Sequence, residues 1–305
     1  MVTGLLRTAA CIALGSAAAL AVAGRAPAST STIVRAVGAE NFYANVIEQI
    51  GGRHVVASSI LSDPNTDPHA YESSTRDAAA VAAANLVVQN GVGYDDFMPS
   101  LERASPNPQR AVIDVGVLMG RKKGDNPHLW YGPATMPKVA AAIEEQLARD
   151  DPADAGEFRS NLRTFEASLR PWTAKIAQLR RTYAGVPVAV TEPVFNYTLA
   201  AIGAIVRTPR SFQLAIEEGN DPAPQDVQTE RSLLSRHAVK AFIYNQQTIE
   251  PSTSMLLALA HSVHVPVVGV YETMPISKNY QGWMIAEIDA VEAALAHGVS
   301  TETIR

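Results

Sequence analysis

Two histidines and two glutamates, far apart in the chain, carry the chemistry that the rest of the sequence must position. His69 stands in Asp67-Pro68-His69-Ala70-Tyr71-Glu72 and His128 in Asn126-Pro127-His128-Leu129-Trp130, each the second member of a Pro-His pair with an aromatic residue two positions later. Glu192 stands in Thr191-Glu192-Pro193 and Glu272 in Tyr271-Glu272-Thr273, each close behind a short apolar run. Two imidazoles with two carboxylates suit a borderline divalent cation such as Zn²⁺, Mn²⁺ or Fe²⁺. Two anionic ligands also offset the charge of a buried 2+ ion. Taken singly, each residue has a plainer role. A loop histidine is more often hydrogen-bonded or exposed than a ligand, and a carboxylate after a strand often faces the start of the next helix. The joint placement is what points to a metal.

The elements that would hold these residues alternate. Strands are expected at 33–37, 54–60, 86–88 and 111–113, with helices at 41–50, 75–84 and 135–148. After residue 185 the alternation resumes, with strands at 188–190, 241–244 and 267–270 and helices at 195–202, 224–236, 251–263 and 281–296. The expected fold class is therefore α/β: two similar lobes, each a mainly parallel sheet flanked by helices. Ligands of open α/β sheets bind beyond the carboxyl ends of the strands, where these histidines and glutamates fall. Between the halves, Phe158, Leu162, Phe165, Leu169, Trp172, Ile176, Leu179 and Tyr183 recur at alternating spacings of 4 and 3. That is one apolar stripe on a helix over 154–183, about 45 Å long at 1.5 Å per residue. Pro171 should kink it or split it in two. Such a helix is too long for a crossover within one sheet and reads as a backbone joining two lobes. The expected boundaries are a signal peptide at 1–28, a first lobe at 29–150, a connecting helix at 151–185 and a second lobe at 186–305.

Composition narrows the class. The chain has 305 residues, 47% of them apolar, and a net charge of −5. It can bury a sizeable core and lacks the basic field of a nucleic-acid binder. Residues 1–28 place Arg7 before an apolar run at 9–23, followed by the small-residue sites Ala21-Val22-Ala23 and Ala26-Pro27-Ala28. This is the layout of a secretory signal, and the run is shorter than the roughly 20 residues of a membrane span. Cys11, the single cysteine, begins that run instead of following it, which argues against lipid attachment. Cleavage after Ala23 or Ala28 leaves a mature chain without cysteine, so nitrogen and oxygen must hold any metal.

The chain resembles the zinc/manganese-type substrate-binding proteins of bacterial ABC importers. The likeness rests on Asp67-Pro68-His69-x-Tyr71-Glu72, Asn126-Pro127-His128-Leu129-Trp130, the long connecting helix, Thr191-Glu192-Pro193-Val194-Phe195-Asn196-Tyr197 and the acidic Pro-rich loop Gly219-Asn220-Asp221-Pro222-Ala223-Pro224. It implies an exported protein, periplasmic or at the cell surface. Such a protein captures one divalent transition metal between two lobes and delivers it to an ABC permease, as a monomer and without catalysis. It implies the metal ligands His69, His128, Glu192 and Glu272. The family usually has Asp where Glu272 stands, so a longer reach, bidentate binding or a water is open there. Its zinc-specific members often carry a His-rich loop before the second histidine. Here that stretch is Met119-Gly120-Arg121-Lys122-Lys123-Gly124-Asp125, which with Glu192 tilts the expectation towards manganese or iron.

Two other classes compete. An exported metal-dependent hydrolase needs an open coordination position and a base, yet there is no HExxH, GxSxG or cysteine nucleophile, nor any Walker A or GxGxxG signature. A binding protein for an organic solute, or an adhesin, should place more aromatic or Arg residues at the strand ends. Among the remaining histidines, His261 and His264 are expected to share a helix face. His54, His237 and His297 have no partner in sequence and read as structural or exposed. Glu72 is a candidate hydrogen-bond support for His69 or a helix N-terminal residue, and the acidic stretch 217–221 could attract cations or a partner or be a solvated turn.

Overall fold

The structure, a computed structural model, describes residues 1–4, 33–63 and 71–304. Residues 5–28 of the expected signal segment, together with Asp67 and His69, lie outside the described residues. Residues 31–305 form one unit by their contacts. Its strands are β1 (Val34–Glu40), β2 (Val55–Leu61), β3 (Leu86–Gln89), β4 (Ala111–Asp114), β5 (Pro187–Val190), β6 (Ile205–Val206), β7 (Phe242–Asn245) and β8 (Val267–Val270). Its α-helices are α1 (Asn41–Gly51), α2 (Thr75–Ala83), α3 (Met98–Ala104), α4 (Val115–Leu118), α5 (Thr135–Asp150), α6 (Ala155–Ser168), α7 (Arg170–Tyr183), α8 (Asn196–Ile202), α9 (Arg210–Glu217), α10 (Pro224–Ser235), α11 (Pro251–Ser262) and α12 (Tyr280–His297).

The strands form two four-stranded parallel sheets, ordered β2-β1-β3-β4 and β6-β5-β7-β8. The apolar runs explain this. Every residue of β3 and β8 is buried, as strands covered by helices on both faces require. In each sheet the chain adds a strand on one side of its first strand and then crosses to the other. The switch points therefore lie between β1 and β3 and between β5 and β7, where ligands of such sheets collect.

The expected connecting helix is split. α6 and α7 meet at Leu169, whose φ of −82° and ψ of −13° keep the backbone near-helical. Pro171 sits in the first turn of α7, where a missing N–H leaves no bond unmade. α6 packs on α1 and α5 of the first lobe, and α7 packs on α8 and α12 of the second. Phe158, Phe165, Leu169, Trp172, Ile176 and Leu179 are buried along one stripe and belong to a core that runs without interruption through both lobes.

Polar staples reinforce that shared core. Asn41 donates to the carbonyl of Met274 at 2.7 Å and accepts from its N–H at 3.0 Å. Tyr280 Oη donates to the carbonyl of Trp130 at 2.6 Å, and Tyr131 Oη to that of Tyr271 at 2.6 Å. Lobes tied in this way resist wide hinge opening, because opening would expose apolar surface and strand these polar groups.

α3, α4, α9 and β6, all short elements, were not expected. His261 and His264 do not share a helix face: α11 ends at Ser262, and His264 turns left-handed at φ 56°. Helical spacing requires both residues inside the helix. His261 Nε2 instead lies 3.4 Å from Glu302.

Candidate metal centre

Each lobe presents polar residues where its strands end. On the second lobe, β5 runs through Thr191 into Glu192, β7 ends in Asn245, and Glu272 follows β8 by two residues. The three side chains converge at the β5/β7 switch point. Asn245 Nδ2 donates to Glu192 Oε2 at 3.1 Å and to Glu272 Oε1 at 2.6 Å. The Asn245 N–H donates to Thr191 Oγ1 at 3.2 Å, so the amide that gathers the carboxylates is itself fixed to the adjacent strand end. Gln247 sets the other side: its Oε1 accepts from the N–H of Glu272 at 2.6 Å and of Thr273 at 2.8 Å.

His128 arrives from the first lobe, in the loop that leads from α4 to α5. It is fully buried, as is Glu272, and Glu192 is 3% exposed. Its backbone N–H and its Nδ1 both face Asn126 Oδ1, at 3.0 and 2.8 Å. Asn126 Nδ2 in turn donates to the carbonyl of Pro193 at 2.8 Å, across the cleft. An Oδ1 can only accept, so Nδ1 carries the imidazole proton. Nε2 then faces Glu272 Oε2, 3.1 Å away. Two lone-pair carriers at that separation need a proton or a cation between them. Ligand atoms ~2.0–2.2 Å from one metal lie roughly 3.0–3.5 Å apart at ordinary coordination angles, so this spacing fits a shared cation.

The surroundings favour a cation too. The Tyr94 and Trp130 rings lie 5.9 and 5.3 Å from the His128 ring, centroid to centroid. Burial, and next the charge of Glu272, hold the Tyr94 phenol well above its ordinary range. Glu40, which ends β1 and is 1% exposed, is likewise pushed well up, by burial first and then by Asp95. Asp95 is pushed up to about 7, chiefly by burial. Buried carboxyls around a cleft resist ionisation because the low dielectric and like charges penalise it, and a bound cation reverses both effects.

Of the four residues singled out from sequence, His128, Glu192 and Glu272 are thus brought to one place, and His69 lies outside the described residues. Glu72 is exposed. Glu217, expected in a solvated turn, is instead the buried last residue of α9, with Oε1 3.8 Å from His128 Nδ1. Asn245 and Gln247 were missed. Asn245 follows the apolar run 241–244 directly, so its position after a strand was the available signal.

A profile of the family described as "Zinc-uptake complex component A periplasmic" matches residues 37–294. The chain belongs to this family. Like the zinc-uptake component, it is a transport protein and not an enzyme. The zinc-uptake component's relatives carry different metals in their names. This member is 25% identical over 229 residues to the manganese-binding lipoprotein of Bacillus subtilis, covering 70% of this chain and 71% of that one. It is 23% identical to the iron-binding protein of Yersinia pestis, over 58% and 59% of the two chains. It is 20% identical to the high-affinity zinc uptake protein of Bacillus subtilis, over 77% of each. The fold matches that of the periplasmic zinc-binding protein from Treponema pallidum, with a TM-score of 0.72 and 17% identity over 87% of this chain and 100% of that one.

Proposed function

We propose that this family member captures one divalent transition metal between its lobes through His69, His128, Glu192 and Glu272, and passes it to an ABC permease in the membrane. The observation that carries the reading is the His128 Nε2–Glu272 Oε2 approach of 3.1 Å from opposite lobes, with Glu192 held alongside by Asn245. Two imidazoles and two carboxylates give a 2+ ion four ligands and charge neutrality, leaving no open position for catalysis. Relatives named for zinc, manganese and iron keep the cargo within that class. In this reading residues 1–28 direct export to the periplasm or cell surface without a lipid anchor. Residues 29–150 and 186–305 form the lobes, residues 151–185 connect them, and the protein acts as a monomer.

An open cavity of about 640 Å³ is lined in part by Lys123, Asp125, Pro127, Arg210, Glu217 and Glu218. The test is elemental analysis with metal titration of the purified protein beside a His69→Ala/Glu192→Ala double variant. Near-stoichiometric metal in the parent, lost in the variant, is the expected result. A parent that binds no metal tightly, or a variant that binds it as well, overturns the four-ligand site.

A further inference from the structure

A second cluster lies where the first lobe meets the connecting helices. We propose that His54, Asp151 and Asp154 form an accessory divalent-cation site, separate from the inter-lobe centre. His54 ends the short turn between α1 and β2, Asp151 follows α5, and Asp154 precedes α6. One ligand atom from each lies within 4.8 Å of the others. His54 Nδ1 is 3.0 Å from Asp154 Oδ2 and 3.9 Å from Asp151 Oδ2. These bracket the roughly 3.4–3.6 Å between ligand atoms of a tetrahedral site with bonds of ~2.1 Å.

The support around the imidazole has the form metal histidines require. Nε2 lies 3.3 Å from Glu157 Oε2, so with a cation at Nδ1 the Nε2 proton has a carboxylate to hold it. In this structure Arg53 Nε donates to Nε2 at 3.2 Å, so Nδ1 carries the imidazole proton, and cation binding at Nδ1 requires that proton to move to Nε2. Arg53 is largely exposed and keeps its own 2.9 Å ion pair with Glu157 when that proton is present. The three carboxylates against one guanidinium leave two negative charges beside a neutral imidazole, the complement of a 2+ ion. His54 and Asp151 are buried, while the Asp154 side chain is a quarter exposed and gives access from solvent. Asp154 holds the N-cap position of α6 without capping it. Its carboxylate faces His54, although an Asp there normally caps the helix. A cation bound here pins the start of the lobe-joining helices to the first lobe. Three protein ligands and partial exposure make it a weaker site than one with four buried ligands.

Titration of the purified protein with Zn²⁺ alone tests this, with bound metal counted after equilibrium dialysis. The parent should take two equivalents, and Asp154→Asn and His54→Gln should each take one. In the His69→Ala/Glu192→Ala background one equivalent should remain and vanish on adding Asp154→Asn, which separates this site from the inter-lobe one. Asp154 is at the surface, so its variant remains informative if His54→Gln does not fold. A parent that takes only the equivalent lost in the double variant, or an Asp154→Asn protein that still takes two, overturns the proposal. The cluster would then be an ion-paired tether only.

Discussion

His128 Nε2 and Glu272 Oε2 meet 3.1 Å apart although they come from opposite lobes, and both are fully buried. In the proposed site, removing His128 takes one ligand away and removes the imidazole that Glu272 faces across the cleft. His128→Ala should therefore weaken metal binding by more than the roughly 10–100-fold that loss of a supporting residue costs. Acidification acts in the same direction, because protons compete for the same lone pairs. Isothermal titration with Zn²⁺ and Mn²⁺ at neutral and mildly acidic pH measures both effects, and unchanged affinity in the variant would remove His128 from the site.

Asn245 touches both carboxylates from one nitrogen. Asn245→Ala should keep all the ligands yet lower affinity roughly 10–100-fold, the range for a residue that orients ligands. Far-UV circular dichroism should match the parent. Parent-like affinity would mean that the carboxylates hold their positions without the amide.

The reciprocal bonds between Asn41 and Met274 tie α1 to the loop behind Glu272. Asn41→Ala leaves two part-buried backbone groups unpaired and should cost about 1–3 kcal/mol of unfolding free energy. Urea denaturation of the metal-free protein measures it. A loss within experimental error would show that this pair of bonds adds nothing to the contacts that fix the lobes.

Burial pushes the Glu230 carboxyl up to about 8 from an ordinary value of 4.5, with the Thr208 hydroxyl opposing and Asp226 adding to the rise. The folded state therefore favours the neutral acid. Its contribution is complete below about pH 4.5 and is lost as pH rises towards 8. Glu230→Gln cannot ionise, so its stability should gain on the parent across that window. The gain should reach up to a few kcal/mol, because each tenfold change in proton affinity is worth about 1.4 kcal/mol. Melting curves at pH 5 and pH 8.5 decide the matter: a gap between the two proteins that does not change with pH would contradict the assignment.

Much of this architecture was legible in the residues. The short β-branched runs Val188-Ala189-Val190 and Val267-Val268-Gly269-Val270 read as strands buried on both faces, alternating with amphipathic helices. Pro171 announced the break at Leu169, because a proline is free only in a helix's first turn. The two-residue β6 escaped because so short a strand leaves no periodic pattern and is held by a few sheet bonds and its packing, and the eight-residue α9 because it is barely two turns long.

The sequence by itself determined which residue types could hold a metal and that two of them, Glu192 and Glu272, would follow strands. Only the tertiary structure decided which of them meet. Strand order brings β5, β7 and β8 side by side, so Glu192, Asn245 and Glu272 share hydrogen bonds although at least 27 positions separate any two of them. The same holds for His54, which has no partner nearby in sequence and finds Asp154 and Glu157 about a hundred positions away. Local patterns record the period of a helix or strand. They carry no record of contacts made when separate elements pack, and hydrogen bonds and ion pairs act over only a few ångströms.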